Sequence, residues 1–442
     1  MPINFILLSN YHKHINSEFP FLNRSKLLIA ISGGLDSVVL THLCHQSNLN
    51  ITLAHCNFNL RGKESDADEN FVLQLGEDLG LEVFIESFDT ENYSKENKLS
   101  TQMAARELRY NWFQELTEQL QFDYILTAHH ADDNLETILI NLSRGTGLDG
   151  LTGIPEENDN IIRPLLPFSR EAIETYAKEN DLKWREDSSN ASTKYLRNKL
   201  RHDVIPVLKE INPQLLQNFQ STLNNLNDTK SIVDESVEQL LSKTQINEQH
   251  QTKFKISEFK KRNNPKAYLF EVFNNYGFTE WNDIVGLLDA QSGKQVLSST
   301  HRLIKDREYL LLSEIELEST EDLVTILKTD KKVQTNFGML YLDDVDTILE
   351  KNNHTIYIDK ERIDYPLTVR KWEAGDMFYP LGMSGKKKLS KYFKDEKLSL
   401  LDKENIRLLC SGDDIVWVIG KRADNRFKVK ENTKSILKIQ LK

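Results

Sequence analysis

The stretch KLLIAISGGLDSVVL, residues 26 to 40, constrains this chain more than any other. A buried-type apolar run meets two glycines, an aspartate and a serine, and then apolar character resumes. Gly33 and Gly34 permit the tight, positive-φ turn at which backbone amides approach a ligand. Ser32 and Ser37 add hydroxyl donors, and a helix beginning near residue 37 points its N-terminus at the same place. A strand, a glycine turn and a helix in this order form a cradle for phosphate. The turn has neither the Gly-Lys-Ser/Thr of the P-loop NTPases nor the GxGxxG of the dinucleotide folds. Lacking the lysine, it suits the pyrophosphate end of ATP, with Asp36 placed to hold Mg²⁺, better than it suits γ-phosphoryl transfer.

From there to about residue 190, short apolar runs alternate with helix-period segments. Strand-like runs cover 26–32, 50–58, 81–88, 123–130 and 160–166, while Leu108, Trp112, Leu116 and Leu120 recur every four residues between them. The pattern predicts an α/β fold with a doubly wound parallel sheet, whose ligand site lies at the carboxyl ends of its strands. His129, His130, Asp132, Asp133 and Glu136 stand there, where a strand ends and a helix starts. His129 and Asp133 are the candidates for catalysis or substrate positioning, although Asp132 or Asp133 could equally cap the helix. Arg106 and Arg109, three apart on one helical face, suit phosphate or base contacts. His42 and His45 read as ordinary helix residues.

A chain of 442 residues exceeds one domain. The expected parts are a catalytic domain (1–205), a mostly helical middle domain (206–316), a β-rich connecting segment (317–363) and a small basic α+β domain (364–442). The charge is uneven. Residues 370–442 carry 18 Lys and Arg against 10 Asp and Glu, a local +8 within a total of −11. Such a tail is either a solvated face or a grip on nucleic acid. No apolar run approaches the roughly 20 residues that span a bilayer, and no secretory pattern opens the sequence, so a soluble cytoplasmic protein with no membrane partner is expected. Cys44, Cys56 and Cys410 are far apart and read as core thiols rather than disulfide or metal ligands.

SGGLDS resembles the SGGxDS loop of the PP-loop ATP pyrophosphatases, which adenylate a carbonyl-type oxygen and release pyrophosphate. Further stretches are similar to those of the tRNA(Ile)-lysidine synthetases. They are AHCNFNLRGKESDAD (54–68) with His55, Asn57, Leu60 and Arg61; AARELRYNWF with Arg106 and Arg109; TAHHADDNLETILINLSRGTGLDGLTGI (127–154); and RPLL followed by REDSSN and YLRNKLRH. GDMFYPLGMSGKKKLSKYFKDEK and IVWVIGKRADNRFKV resemble that family's C-terminal module, except that Met377 stands where the family usually has arginine.

The resemblance implies a Rossmann-like PP-loop fold using ATP and Mg²⁺. It implies nucleotide binding by Ser32, Gly33, Gly34, Leu35, Asp36 and Ser37, with Asp36 as metal ligand, and catalysis by Asp36, His129, Asp133 and Arg109. Contacts to tRNA would come from Arg106, Arg197, Arg201, Lys386, Lys387 and Lys388. The implied reaction joins free L-lysine to carbon 2 of the wobble cytidine in the isoleucine tRNA with a CAU anticodon, through an adenylated tRNA. A homodimer is one assembly open to such a chain. The alternatives are a PP-loop tRNA thiolase, for which Cys56 is the only nearby thiol, and a tRNA-binding protein without catalysis, against which the intact SGGLDS and HHADD stand.

Overall fold

The computed structural model describes residues 6–186, 196–248, 251–315, 323–349, 352–383 and 385–442. The chain divides into two units, Met1–Asp234 and Glu235–Lys442. No helix among the described residues is long and apolar enough to cross a membrane.

The first unit is built on strands β1 (Lys26–Ala30), β2 (Asn50–Asn57), β3 (Val83–Ser87), β4 (Tyr124–Leu126), β5 (Glu157–Asn158) and β6 (Ile161–Ile162). They lie in the order β3-β2-β1-β4-β6-β5 and are parallel except for the edge strand β5. The helices are α1 (Ile6–Glu18), α2 (Leu35–Gln46), α3 (Lys63–Leu79), α4 (Thr90–Glu96), α5 (Thr101–Leu120), α6 (Ala131–Arg144), α7 (Leu148–Leu151) and α8 (Arg170–Glu179). After them come α9 (Leu196–Lys199), a π-turn (Leu200–Val204), α10 (Ile205–Ile211) and α11 (Leu215–Thr244).

Both faces of the sheet are covered, which is why its strands read as continuous apolar runs. Leu27 and Ile29 of β1 pack with Val38, Val39 and Leu43 of α2, while Leu28 between them packs on the other face with Trp112, Phe113 and Leu116 of α5. Each buried leucine contributes about 1.5–3 kcal/mol. The chain runs outward from β1 to β3 and returns on the other side of β1 as β4. That reversal opens a crevice at the carboxyl ends of β1 and β4.

The strands expected at 123–130 and 160–166 shrink to three and two residues. The HHADD segment leaves the sheet to cap α6, and Pro164, with no N–H to give, cannot extend β6.

In the second unit the strands at 245–248 and 251–255 depart from the expectation of a mostly helical middle, whereas 294–315 reads as strand-like from its alternation and is strand. The long helix α11 stops at Thr244, and Gln245–Glu248, Gln251–Lys255, Tyr309–Glu314, His301–Asp306 and Gln295–Leu297 form a five-stranded antiparallel sheet. Phe254, Leu303, Leu310 and Leu312 of that sheet bury against short helices carrying Phe259, Leu269 and Phe273. Phe254 is the buried residue that anchors Gln251–Lys255 in this sheet, and the exposed Gln245–Glu248 pairs with it. Nor is 317–363 a separate connector. Val324–Ile326 pairs with Leu367–Lys371, and Gly338–Val345 and Thr355–Asp359 both pair with Ile436–Leu441. Those strands share one core with the tail, around Leu340, Ile358, Leu409 and Trp417.

Candidate functional site

The glycine turn joins β1 to α2 as the sequence implies. Gly33 takes φ +84°, and a Cβ there would press on Phe71 at 3.3 Å, so any larger residue strains the backbone. Ser37 Oγ donates to the Gly34 carbonyl at 2.9 Å and accepts from the Ser32 amide at 3.2 Å. The two serines thus fix the curvature of the turn. Leu35 sends its side chain into the core, leaving only its backbone to serve a ligand. The Arg185 amide donates to the Gly33 carbonyl at 2.9 Å. The Arg185 guanidinium also shares Asp68 with Arg61, each at 2.9 Å, so one buried acid ties the loop after β2 to the segment after α8 beside the turn.

Asp36 opens α2. Its Oδ2 accepts from Arg170 Nη1 at 3.1 Å, whereas Oδ1 is buried with no hydrogen-bond partner. Burial raises the carboxyl above its ordinary range, against the pull of His130 and Arg170. An orphaned carboxylate oxygen beside a phosphate cradle is a fit for Mg²⁺, which takes one or two protein carboxylates and completes its shell with phosphate oxygens and water. Among the described residues no cluster of three His, Cys, Asp or Glu forms a preassembled metal cage.

His130, 1% exposed, is the N-cap of α6. The Asp133 amide donates to its Nδ1 at 3.3 Å, and the His130 amide donates to Asp133 Oδ2 at 3.2 Å. Because Nδ1 accepts, the assigned tautomer carries its proton on Nε2. That atom lies 3.7 Å from Asp36 Oδ1 and 3.4 Å from Asp133 Oδ2. The imidazole therefore bridges the nucleotide turn and the start of α6. The capping reading of Asp133 is correct, and the residue also faces the crevice.

Asp133 and Glu136 form the acidic wall. Arg197 Nε reaches Glu136 Oε2 at 2.7 Å, while Arg201 Nε reaches its Oε1 at 2.6 Å and Arg201 Nη2 reaches Asp133 Oδ1 at 3.0 Å. Burial alone would raise the Asp133 carboxyl, but the His130 ring and the charges of Arg197 and Arg201 overcome it and hold it below its ordinary value. Arg197 and Arg201, expected to contact RNA, thus have their guanidiniums on these two acids. Asp132 is likewise held low: burial is outweighed by the Arg170 amide and Lys209.

His129 bonds Thr127 Oγ1 through Nδ1 at 3.0 Å, and burial lowers its pKa to about 4, so the ring is neutral. Arg109 is exposed with its guanidinium 5.2 Å from the Phe58 ring, and Arg106 stacks 4.9 Å over Tyr110. In the second unit, Lys386 and Lys388 are exposed, while Lys387 pairs with Asp395 at 2.8 Å. Met377 lies across the strand pair from Lys388. Sequence reasoning missed Arg170, Arg163, Asp68 and Arg185. Asp68, Arg163 and Arg185 stand within the stretches AHCNFNLRGKESDAD, RPLL and REDSSN without a role of their own there, and the fold carries them and Arg170 to the crevice.

A doubly wound sheet with this turn defines a PP-loop enzyme, and residues 7–208 match the PP-loop domain family. Residues 247–315 match the TilS substrate binding domain and 367–441 the TilS substrate C-terminal domain. The chain is 41% identical over 418 residues to the tRNA(Ile)-lysidine synthase of Parabacteroides distasonis, covering 93% of this chain and 94% of that one. It is 40% identical over 428 residues to that of Bacteroides thetaiotaomicron, covering 96% and 97%, and 31% identical over 450 residues to that of Clostridium perfringens, covering 95% and 96%. The chain belongs to the tRNA(Ile)-lysidine synthase family.

Proposed function

We propose that this protein ligates free L-lysine to carbon 2 of the wobble cytidine of the CAU-anticodon isoleucine tRNA, in two steps on one crevice. ATP adenylates the carbonyl oxygen at that carbon with release of pyrophosphate, and the lysine ε-amine then displaces AMP. The observation that carries the reading is His130, whose Nε2 stands between Asp36 at the nucleotide turn and Asp133 at the acidic wall. Two half-reactions that share an intermediate need their sites this close.

The turn residues Ser32 to Ser37 would hold the triphosphate, and Asp36 would hold the Mg²⁺. When bound, that ion offsets charge on the departing pyrophosphate. Asp133, kept ionised, binds the incoming ammonium and takes its proton as the amine attacks, since a free lysine side chain is protonated at neutral pH. Neutral His129 adds no positive charge to repel that ammonium. Arg197 and Arg201 keep Asp133 ionised and pair with Glu136. Arg109 and the exposed lysines of the C-terminal unit are the residues we assign to RNA.

The thiolase alternative fares poorly. Cys56 is unpaired in β2, and burial pushes its thiol up to about 12, far from a sulfur-carrying thiolate. Nucleoside mass spectrometry of the isoleucine tRNA after incubation with ATP and lysine tests the proposal. Lysidine should form only when both are present, and equal product from sulfide or ammonia would refute it.

A further inference from the structure

Arg163 follows β6 directly and is 7% exposed. Its Nη1 donates to the Pro155 carbonyl at 2.7 Å, while Nε is buried with no partner. Among the described residues no carboxylate forms an ion pair with it. A guanidinium stays charged at any physiological pH, so it cannot escape burial by losing its proton. A buried cation held by one carbonyl is costly unless an anion completes it.

The sheet register places this cation. Leu126 of β4 lies opposite Ile162 of β6, and the Thr127 amide donates to the Ile162 carbonyl at 3.0 Å. Arg163 therefore emerges beside Thr127, whose hydroxyl holds His129. Burial and then Arg106 lower its proton affinity, against the Tyr110 phenol, and Arg163 in turn lowers that of His129, after burial and against Asp133. Since β4 lies between β1 and β6, the glycine turn is two strand spacings away, about 10 Å. A triphosphate seated on the turn has its own cradle there.

We infer that Arg163, with Arg106 at the rim, is an anion subsite that binds the α-carboxylate of the amino-acid substrate. The inference rests on the proposed use of free lysine. An extended lysine separates its amine from its carboxylate by roughly 7 Å, given bonds of about 1.5 Å. The ammonium can then lie on Asp133 while the carboxylate lies on Arg163, with neutral His129, which feels both charges, between them. The subsite would select an amino acid over a simple diamine, because a diamine leaves the buried guanidinium uncompensated.

Steady-state ligation with the full-length protein, ATP and CAU-anticodon tRNA tests this, using lysine and 1,5-diaminopentane, which lacks the carboxylate. The wild type should show a KM for the diamine at least about 30-fold above that for lysine, as expected for a charge-assisted bidentate contact. Arg163→Met should raise the lysine KM by a similar factor, leave the diamine KM within about two-fold, and leave the KM values for ATP and tRNA unchanged. Arg106→Ala, at an exposed position that does not threaten folding, should raise the lysine KM several-fold. If Arg163→Met melts early, Arg106→Ala and the wild-type preference for lysine decide the matter. Equal use of both amines by the wild type, or an unchanged lysine KM in a well-folded Arg163→Met, overturns the inference. A rise confined to the tRNA KM also overturns it, assigning the guanidinium to an RNA phosphate. Absence of any lysine-dependent product would instead refute the proposed reaction, independently of the subsite.

Discussion

Arg201 Nε lies 2.6 Å from Oε1 of Glu136, a carboxylate that is 1% exposed. Arg201 sits in the π-turn Leu200–Val204, four residues after Arg197, and both side chains converge on the one acid. A π-turn adds a residue to the helical ring and re-aims the side chains after it, a device common at functional sites. Truncating Arg201 to alanine leaves Glu136 with only Arg197. We expect Arg201→Ala to destabilise the first unit by about 2–3 kcal/mol, below the ~3–5 kcal/mol for complete loss of partners. Arg106→Ala, on an exposed face, should cost under about 0.5 kcal/mol. Urea unfolding of both variants checks the difference.

Asp36→Asn should reduce tRNA-dependent pyrophosphate release by at least about 100-fold, several kcal/mol in the transition state, with the melting temperature held within a few degrees. The amide is isosteric and still accepts from Arg170, so the fold has little reason to change. Wild-type pyrophosphate release would show that the charge at this position is dispensable.

His129 predicts a pH dependence of stability. Its folded pKa, lowered to about 4 by burial, lies below the unfolded value near 6.5. The unfolded chain therefore takes up a proton that the native ring refuses between those values. Stability falls as pH drops from about 6.5 to 4, by up to about 1.4 kcal/mol per unit, and the contribution levels off below 4. His129→Asn should flatten that part of the profile relative to wild type. Identical profiles from pH 7 to 4 would contradict the assignment.

The exposed pair Lys386 and Lys388 should carry part of the RNA grip. Lys386→Ala with Lys388→Ala is expected to lower tRNA affinity and to reduce the slope of log affinity against log salt by about 1.4–1.8, at roughly 0.7–0.9 per phosphate contact. ATP affinity should stay the same. Lys387→Ala should matter less for the slope, because Asp395 already neutralises that ammonium. Cutting the chain at residue 364 is a poorer experiment, since it severs the pairing of Val324–Ile326 with Leu367–Lys371. An unchanged salt slope in the double variant would leave these lysines as a solvated face.

The sequence by itself determined the parallel sheet, the glycine turn and the residues that end β4. These are short-range properties: apolar runs, a required positive φ at Gly33, and a polar cluster where a strand gives way to a helix. The family resemblance in SGGLDS, HHADD and the tail was legible for the same reason, as contiguous residues. Tertiary structure alone decided the rest. Arg170 reaches Asp36 across 134 positions of sequence, and Arg201 reaches Glu136 across 65, which no local pattern encodes. The hairpin after Thr244 and the pairing of 324–359 with the tail likewise depend on distant partners that bury Phe254, Leu340 and Ile358. Whether an arginine meets phosphate or a buried acid depends on what the fold sets opposite it, because the guanidinium chemistry is the same in both places.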